Sequence, residues 1–274
     1  MSHAHLGPFL EALLAGVDRA DRVAHDPVRY VHRYRRRADQ EAAGLLAAGL
    51  AFGRVAAFGA VLDEVFDALD AHGGPAQAAR EVHPGVVDAL NPLFYRWIRG
   101  PHLVTYLRAI GRVQQQGLEA SQAGGTARDG LVRLSAALRE AAGGVEEAPR
   151  GLRYLLTSPV SGSACKRLCM FHRWMVRPAD GIDLGLWARP AATLVMPVDT
   201  HVLRVSQFLG LTRRRDGSWR TAEAITAALR TLDHDDPVRF DFALAHLGIS
   251  GACRGARHPD ACPGCPLDAV CTAA

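Results

Sequence analysis

The sequence contains almost no lysine: 31 of its 32 basic residues are arginine, and the exception is Lys166. Arginine keeps its proton in proteins, whereas a lysine amine can become neutral and attack an electrophilic carbon. A single side-chain amine is therefore available for covalent chemistry. Chance retention of one lysine in an arginine-biased composition is the alternative interpretation.

Targeting and membrane signals are also lacking. The N-terminal stretch MSHAHLGPFLEALLAG has no basic segment and no small-residue cleavage site. The longest apolar run, residues 42–53, is too short to span a bilayer. We therefore expect a cytoplasmic protein without a membrane partner. Thiols stay reduced in that compartment, so clustered cysteines there indicate metal binding before disulfides.

Alternation of polar and apolar residues with a period of two is absent, which excludes an extensive sheet and predicts an all-α fold. A chain of 274 residues with 49% hydrophobic residues can bury a substantial core. Asp39, Asp199 and Asp236 are the predicted N-caps of three helices. The predicted helices cover residues 8–20, 39–52, 55–71, 76–82, 86–90, 101–116, 126–142, 199–209, 221–232 and 237–247.

Basic and acidic residues balance over residues 1–150, so the net charge of +4 comes from residues 151–274. This distribution favours a C-terminal half that faces a polyanion. A solvated, mildly basic surface is the alternative.

Four of the six cysteines lie in the last 22 residues, with gaps of eight, two and five residues between them. They are Cys253, Cys262, Cys265 and Cys271. Structural zinc sites usually combine two close pairs, whereas this motif has one close pair between two single cysteines. The spacing favours a [4Fe-4S] cluster over zinc. Arg254 and Arg257 lie between the first two cysteines, where they could contact a phosphate.

Together these features resemble the helix-hairpin-helix DNA glycosylase superfamily, which includes endonuclease III and the adenine-mismatch glycosylase. That branch places its essential aspartate in a V-D-T-H-x-x-R-V segment, and residues 198–205 read VDTHVLRV. It also ends in a four-cysteine cluster motif. The last two gaps match that motif, and the first is two residues longer here. The similarity covers roughly residues 38–271.

The chain most resembles an uncharacterised bacterial family that shares its G-S-A-C-K-R and G-L-W segments. Lys166 precedes Asp199 by 33 positions, a step similar to that of the archaeal 8-oxoguanine glycosylase branch. The hairpin reads SPVSGS, with one glycine where the superfamily usually has L-P-G-x-G. The resemblance implies two lobes. Residues 38–178 would form a helical barrel domain ending in the helix-hairpin-helix, and residues 1–37 and 179–274 a second lobe with the cluster loop.

The resemblance also implies roles for individual residues. Lys166 would attack the sugar C1′ and form a Schiff base, and Asp199 would stabilise the cationic sugar. The implied DNA contacts are Gly162, Ser163, Arg167, His201, Arg254 and Arg257. Candidates for the pocket that receives the flipped base are Gln40, Phe52, Arg54, Phe171, Trp174 and Trp187.

The expected function is that of a monomeric base-excision repair enzyme acting on double-stranded DNA. It would be a glycosylase with AP lyase activity that removes an oxidised base, with 8-oxoguanine favoured over oxidised pyrimidines. One alternative is a non-catalytic iron–sulfur DNA-binding protein. Another is a monofunctional glycosylase in which Asp199 activates water and Lys166 is structural.

Overall fold

Helices account for 59% of the structure, a computed structural model that describes residues 3–273. Within that range there is one sheet, in which β1 (Phe94–Tyr95) pairs antiparallel with β2 (Ile98–Arg99). The all-α prediction is confirmed, because so short a hairpin adds no layer to the fold. No helix among the described residues is long and apolar enough to cross a membrane.

Fourteen α-helices follow one another along residues 3–273, joined by turns and short 3-10 segments. The first seven are α1 (Gly7–Ala15), α2 (Arg19–Ala24), α3 (Arg29–His32), α4 (Arg37–Leu50), α5 (Val55–Asp70), α6 (Pro75–Glu81) and α7 (Pro84–Leu90). The others are α8 (Gly100–Gln116), α9 (Ala127–Ala141), α10 (Arg150–Leu155), α11 (Lys166–Val176), α12 (Thr200–Phe208), α13 (Trp219–Arg230) and α14 (Asp241–Ile249).

Local capping signals explain where several helices begin. The Thr126 hydroxyl accepts a hydrogen bond from the Asp129 amide, and the Asp129 carboxylate accepts one from the Thr126 amide, a capping box that opens α9. Prolines stand in the first turns of α6, α7 and α8, where the missing N–H costs nothing. The predicted helix at residues 8–20 is instead divided into α1 and α2.

Two of the three predicted aspartate caps are wrong. Helix α4 begins after Arg36, and the buried Asp39 carboxylate instead accepts hydrogen bonds from Arg36 and from the Ala76 amide. Helix α14 begins after Phe240 rather than at residue 237, and the Asp236 carboxylate pairs with Arg177. Both aspartates are used for tertiary contacts, which a local sequence pattern cannot reveal.

One continuous hydrophobic core connects the helices. Helix α11 packs against α4, while α12 packs against α14, which also contacts α1 near the start of the chain. This packing brings the first turns of α11 and α12 to a common cavity with segments from both ends of the described chain. The division into two lobes remains a prediction.

Candidate active site

A cavity of about 1000 Å³ is formed by segments that are far apart in the sequence. Its walls come from the loop before α3, the loop after α4, the hairpin between α10 and α11, and the first turns of α11 and α12. Residues of α14 complete it. Both Lys166 and Asp199 line this cavity. The two residues that the sequence singled out for chemistry therefore face one space that could hold a nucleobase-sized ligand.

Lys166 is the first residue of α11, because the preceding Cys165 has a left-handed backbone conformation (φ 46°) that starts the helix abruptly. The lysine is half-buried, and its Nζ lies 3.3 Å from the Sδ atom of Met170, one turn further along the helix. A thioether is a weak acceptor and does not hold the amine as a carboxylate would. Among residues 3–273, no carboxylate forms an ion pair with the Lys166 amine.

Asp199 caps α12, as predicted. Its Oδ1 atom accepts hydrogen bonds from the amides of His201 and Val202, both at 2.9 Å. The second carboxylate oxygen makes no hydrogen bond to any residue of the described chain, which leaves it available to the cavity. A helix N-terminus favours the ionised carboxylate. The arrangement suits electrostatic stabilisation of a developing positive charge.

A smaller cavity of about 30 Å³, large enough for one water, also borders on Lys166 and Asp199. Its wall includes Asp241, which pairs with Arg173, and the indole of Trp174. The Trp174 Nε1 atom is buried and has no hydrogen-bond partner among the described residues. Burial raises the pKa of Asp241 to about 6, although Arg173 and Lys166 act in the opposite direction. A second, deeply buried carboxyl group thus contributes to the electrostatics of Lys166.

Most backbone amides of the hairpin between α10 and α11 already donate hydrogen bonds within the protein. The amide of Ser161 bonds to the carbonyl of Ser158, and that of Gly162 bonds to the carbonyl of Pro159. Gly162 needs glycine because its φ is 80°. Ser163 lines the cavity, and its hydroxyl accepts a hydrogen bond from the Cys165 amide. The hairpin therefore has few free N–H groups to offer to a phosphate.

Arg167, a predicted DNA contact, has hydrogen-bond partners within the protein, and its contact with DNA stays a prediction. Its guanidinium donates to the carbonyls of Gly49 (2.6 Å) and Tyr154, and it stacks on the Tyr154 ring at 3.8 Å from the centroid. These contacts fasten α11 to α4 and α10. Arg54 and Arg153 also line the cavity; both are exposed, and their guanidinium groups make no hydrogen bond or ion pair in the part of the chain described. Arg153 was missed by the sequence analysis, because nothing local distinguishes it from other surface arginines.

Only two of the six candidates for the base pocket, Phe52 and Arg54, lie on the large cavity. The other four are placed elsewhere by packing. Phe171 is fully buried against Gly44, and the Trp187 indole donates to Glu41. Gln40 donates to the Tyr34 carbonyl, and Trp174 borders the smaller cavity. Aromatic residues at helical spacing are usually core, and these follow that rule.

An Asp–His pair that the sequence analysis missed also faces the large cavity. Asp26 precedes α3, His246 lies on α14, and the Nε2 atom of His246 is 3.3 Å from Oδ2 of Asp26. The two residues are 220 positions apart, so no motif spacing could connect them. His201 is on the same wall, with its Nδ1 atom 3.4 Å from the guanidinium of Arg204.

All four cysteines of the C-terminal loop are free and half-buried. Burial raises the pKa of Cys265, and the other three thiols add to this effect, so the four lie within electrostatic reach of one another. Across residues 3–273, however, no group of three or more cysteine, histidine or acidic side chains is gathered as a metal-ligand set. Four free thiols are the ligand type that an iron–sulfur cluster takes.

The two arginines of the cysteine loop have partners within that loop. Arg254 contacts the ring of His258 at 2.9 Å, and Arg257 forms an ion pair with Asp268 at 2.9 Å. Both arginines remain exposed. Their predicted contacts with DNA stay predictions.

Comparison with known proteins gives one family. A family described as "Protein of unknown function (DUF2400)" matches residues 26–250. The matched region contains the hairpin, Lys166 and Asp199, and it ends before Cys253. No curated protein and no solved structure matches the chain.

Proposed function

The chain belongs to the DUF2400 family of unknown function, and we propose that it is a base-excision DNA glycosylase with AP lyase activity. One observation carries this proposal. The only lysine of the chain and the capping aspartate of the VDTH segment line the same cavity of about 1000 Å³. Lys166 and Asp199, which were identified from different sequence features, thus share one site, although they are 33 positions apart in the chain.

The chemistry requires the damaged nucleotide to leave the base stack and enter the cavity. Loss of the base generates positive charge on the sugar, which the free Asp199 oxygen would stabilise. The Nζ atom of Lys166 attacks C1′ and becomes a Schiff base. Elimination of the 3′ phosphate then breaks the strand. Exposed Arg54 and Arg153 at the cavity would hold the flanking phosphates.

The proposed substrate is an oxidised base in double-stranded DNA, with 8-oxoguanine favoured. The cavity volume is sufficient for a purine, and Phe52 offers it an aromatic face. The preference for 8-oxoguanine rests on the resemblance to the archaeal glycosylase branch. It is therefore the part of the proposal that a panel of lesions must test.

A [4Fe-4S] cluster is the proposed cofactor, held by Cys253, Cys262, Cys265 and Cys271. When bound, it would cross-link the C-terminal loop, which otherwise has little regular structure. The four free thiols, at a spacing atypical of zinc sites, support this choice. Purified protein should be brown and contain iron and sulfide; a colourless protein with stoichiometric zinc would contradict it.

Borohydride trapping on duplex oligonucleotides tests the activity. Duplexes carrying 8-oxoguanine, an oxidised pyrimidine or no lesion are incubated with wild-type protein and reductant. A covalent protein–DNA adduct is expected with a damaged duplex only. Lys166→Arg keeps the positive charge but cannot form a Schiff base, so it should bind the same DNA without an adduct.

The other outcomes distinguish the alternatives. If Lys166→Arg still releases the base and wild type forms no adduct, the enzyme is monofunctional. If the wild-type protein binds damaged DNA but neither releases the base nor forms an adduct, the protein is a non-catalytic binder and the proposal fails.

A further inference from the structure

We propose that Asp26 and His246 form a proton-transfer pair in which His246 removes the C2′ proton during strand cleavage. This inference rests on the proposed function and assigns it a second catalytic residue. Neither residue belongs to the VDTH segment, the hairpin or the cysteine motif.

The geometry of the pair supports a functional position. Both side chains line the large cavity, and both also line the smaller one, together with Lys166 and Asp199. They are well shielded from solvent, with the Asp26 side chain 13% exposed and that of His246 6% exposed. The acid–base pair and the proposed nucleophile, Lys166, therefore line the same two cavities.

Asp26 orients the imidazole. Its Oδ1 atom accepts a hydrogen bond from the Val28 amide at 2.9 Å, and its Oδ2 atom faces Nε2 of His246 at 3.3 Å. Although burial opposes ionisation, the hydrogen bonds from His246 and Val28 hold the pKa of Asp26 below its ordinary value. An ionised Asp26 accepts a hydrogen bond from the Nε2–H group of His246, which leaves Nδ1 as the basic nitrogen.

The imidazole nitrogen that does not face Asp26 is available to act as a base. No hydrogen bond to Nδ1 of His246 is present anywhere in residues 3–273. The Phe242 ring packs on the imidazole at a centroid distance of 4.2 Å and limits its rotation. Phe242, His246 and Ile249 follow one another at helical spacing on α14 and together line the smaller cavity. The helix thus presents the ring to the site in one orientation.

The proposed step is balanced as follows. Lys166 first displaces the base, so that a single bond joins Nζ to C1′ of the closed sugar ring. The lone pair on Nζ then opens the ring: the C1′–O4′ bond breaks, O4′ takes a proton from water, and an iminium joins Nζ to C1′. Nδ1 of His246 takes a proton from C2′, and the electron pair of that C–H bond forms a double bond between C2′ and C3′. The bond from C3′ to oxygen breaks, and the phosphate leaves with its electrons. Water then hydrolyses the imine and frees Lys166.

A duplex with a preformed abasic site tests this step without knowledge of the lesion. Borohydride trapping measures Schiff-base formation, and strand cleavage without alkali measures elimination. In His246→Gln we expect adduct formation near the wild-type rate and elimination slower by about 100-fold, a typical contribution of a general base. His234→Gln is the matched control, because His234 faces Asp235 at 3.5 Å in an exposed pair outside the cavity.

Added imidazole supplies a readout that a structural role would not change. The cavity is large enough to admit it, so imidazole should restore elimination in His246→Ala but not in Lys166→Arg. Asp26→Asn removes the orienting carboxylate and should slow elimination without abolishing adduct formation. This second variant keeps the test informative if substitution of the buried histidine prevents folding.

Three results would overturn the inference. Elimination at the wild-type rate in His246→Gln removes the role of the pair while the lyase proposal survives. Equal losses of trapping and cleavage in His246→Ala, with no rescue by imidazole, assign the pair a structural role. Absence of any adduct with wild-type protein on abasic DNA refutes the proposed lyase activity, and this inference with it.

Discussion

Arg173 on α11 and Asp241 on α14 form a buried ion pair beside the smaller cavity that Lys166 and Asp199 border. Arg173 also holds Asp183 at 3.1 Å, so one guanidinium is shared between two buried carboxylates. The pair connects the helix of the proposed nucleophile to the helix of His246. Protonation of Asp241 therefore affects both the stability of the fold and the charge next to Lys166.

Asp241→Asn should change how stability depends on pH. Burial raises the pKa of Asp241 from 3.8 to about 6, so the folded state holds this proton more tightly than the unfolded chain. In wild type, the stability that this proton contributes is lost as the pH rises through that interval. Asp241→Asn has no such loss, so its free energy of unfolding relative to wild type should rise by about 3 kcal/mol between pH 3.8 and about 6. Urea unfolding at a series of pH values measures this.

Asp180→Asn is the control for that experiment. The amide of Asp183 and the guanidinium of Arg177 hold the pKa of Asp180 below its ordinary value, against the effect of burial. Its contribution is present above pH 3.8 and is lost only as the pH falls further. The difference in unfolding free energy between Asp180→Asn and wild type should therefore stay constant over the pH range in which the difference for Asp241→Asn changes. Parallel curves for the two variants would refute the assignment.

Asp199→Asn separates the two roles of the capping aspartate. An asparagine Oδ1 can still accept from the amides of His201 and Val202, so thermal stability should change little. Base release should fall by 100-fold or more, because the charge that stabilises the cationic sugar is removed, by analogy with about 100-fold effects of single electrostatic groups. Asp199→Ala should lose activity and also about 1 kcal/mol of stability. Activity retained in Asp199→Asn would leave the residue as a cap only.

The double variant Arg54→Ala/Arg153→Ala should weaken DNA binding in a salt-dependent way. If each arginine contacts one phosphate, the slope of log affinity against log salt concentration becomes shallower by about 2. The matched control is Arg80→Ala/Arg108→Ala, which removes two exposed arginines from a separate cleft between α6 and α8. Equal slopes for both double variants would show that the cavity arginines do not contact DNA. Fluorescence anisotropy at several salt concentrations provides the measurement.

Gly255→Ala tests the connection between the VDTH helix and the cysteine loop. Gly255 has φ 84°, and a Cβ atom there would lie 2.8 Å from the guanidinium carbon of Arg204 on α12. Gly251→Ala is the control, since its φ is 77° but nothing lies within 4 Å of the added carbon. Both variants carry the strain of a left-handed alanine, and Gly255→Ala should cost about 1 kcal/mol more through the displaced arginine. Thermal unfolding compares them; equal losses would mean that Arg204 moves away freely.

Local features of the site were predictable because they depend on neighbouring residues. The capping role of Asp199 follows from a short polar side chain placed before an amphipathic segment. The structure confirms it, because the Asp199 carboxylate accepts hydrogen bonds from the amides of His201 and Val202. Lys166 was conspicuous by composition alone. That these two residues line one cavity was implied by the resemblance. Physically, it results from the packing of α11 against α4 and of α12 against α14.

The features that sequence reasoning missed depend on distant parts of the chain. The Arg167 guanidinium binds carbonyls at the ends of α4 and α10, a contact that its position in the sequence does not reveal. Asp39 and Asp236 looked like caps and proved to be partners of remote groups. For these two aspartates, a local pattern permitted the predicted role, and a tertiary contact replaced it.

The sequence by itself determined the helical class, several helix starts, the single side-chain amine and the four thiols of the C-terminal loop. These follow from periodicity, capping and composition, which act over a few residues. The tertiary structure alone decided which polar groups face the cavity. It joined Asp26 to His246 and set the burial that shifts the pKa of Asp241, because both effects arise only when helices from opposite ends of the chain pack together.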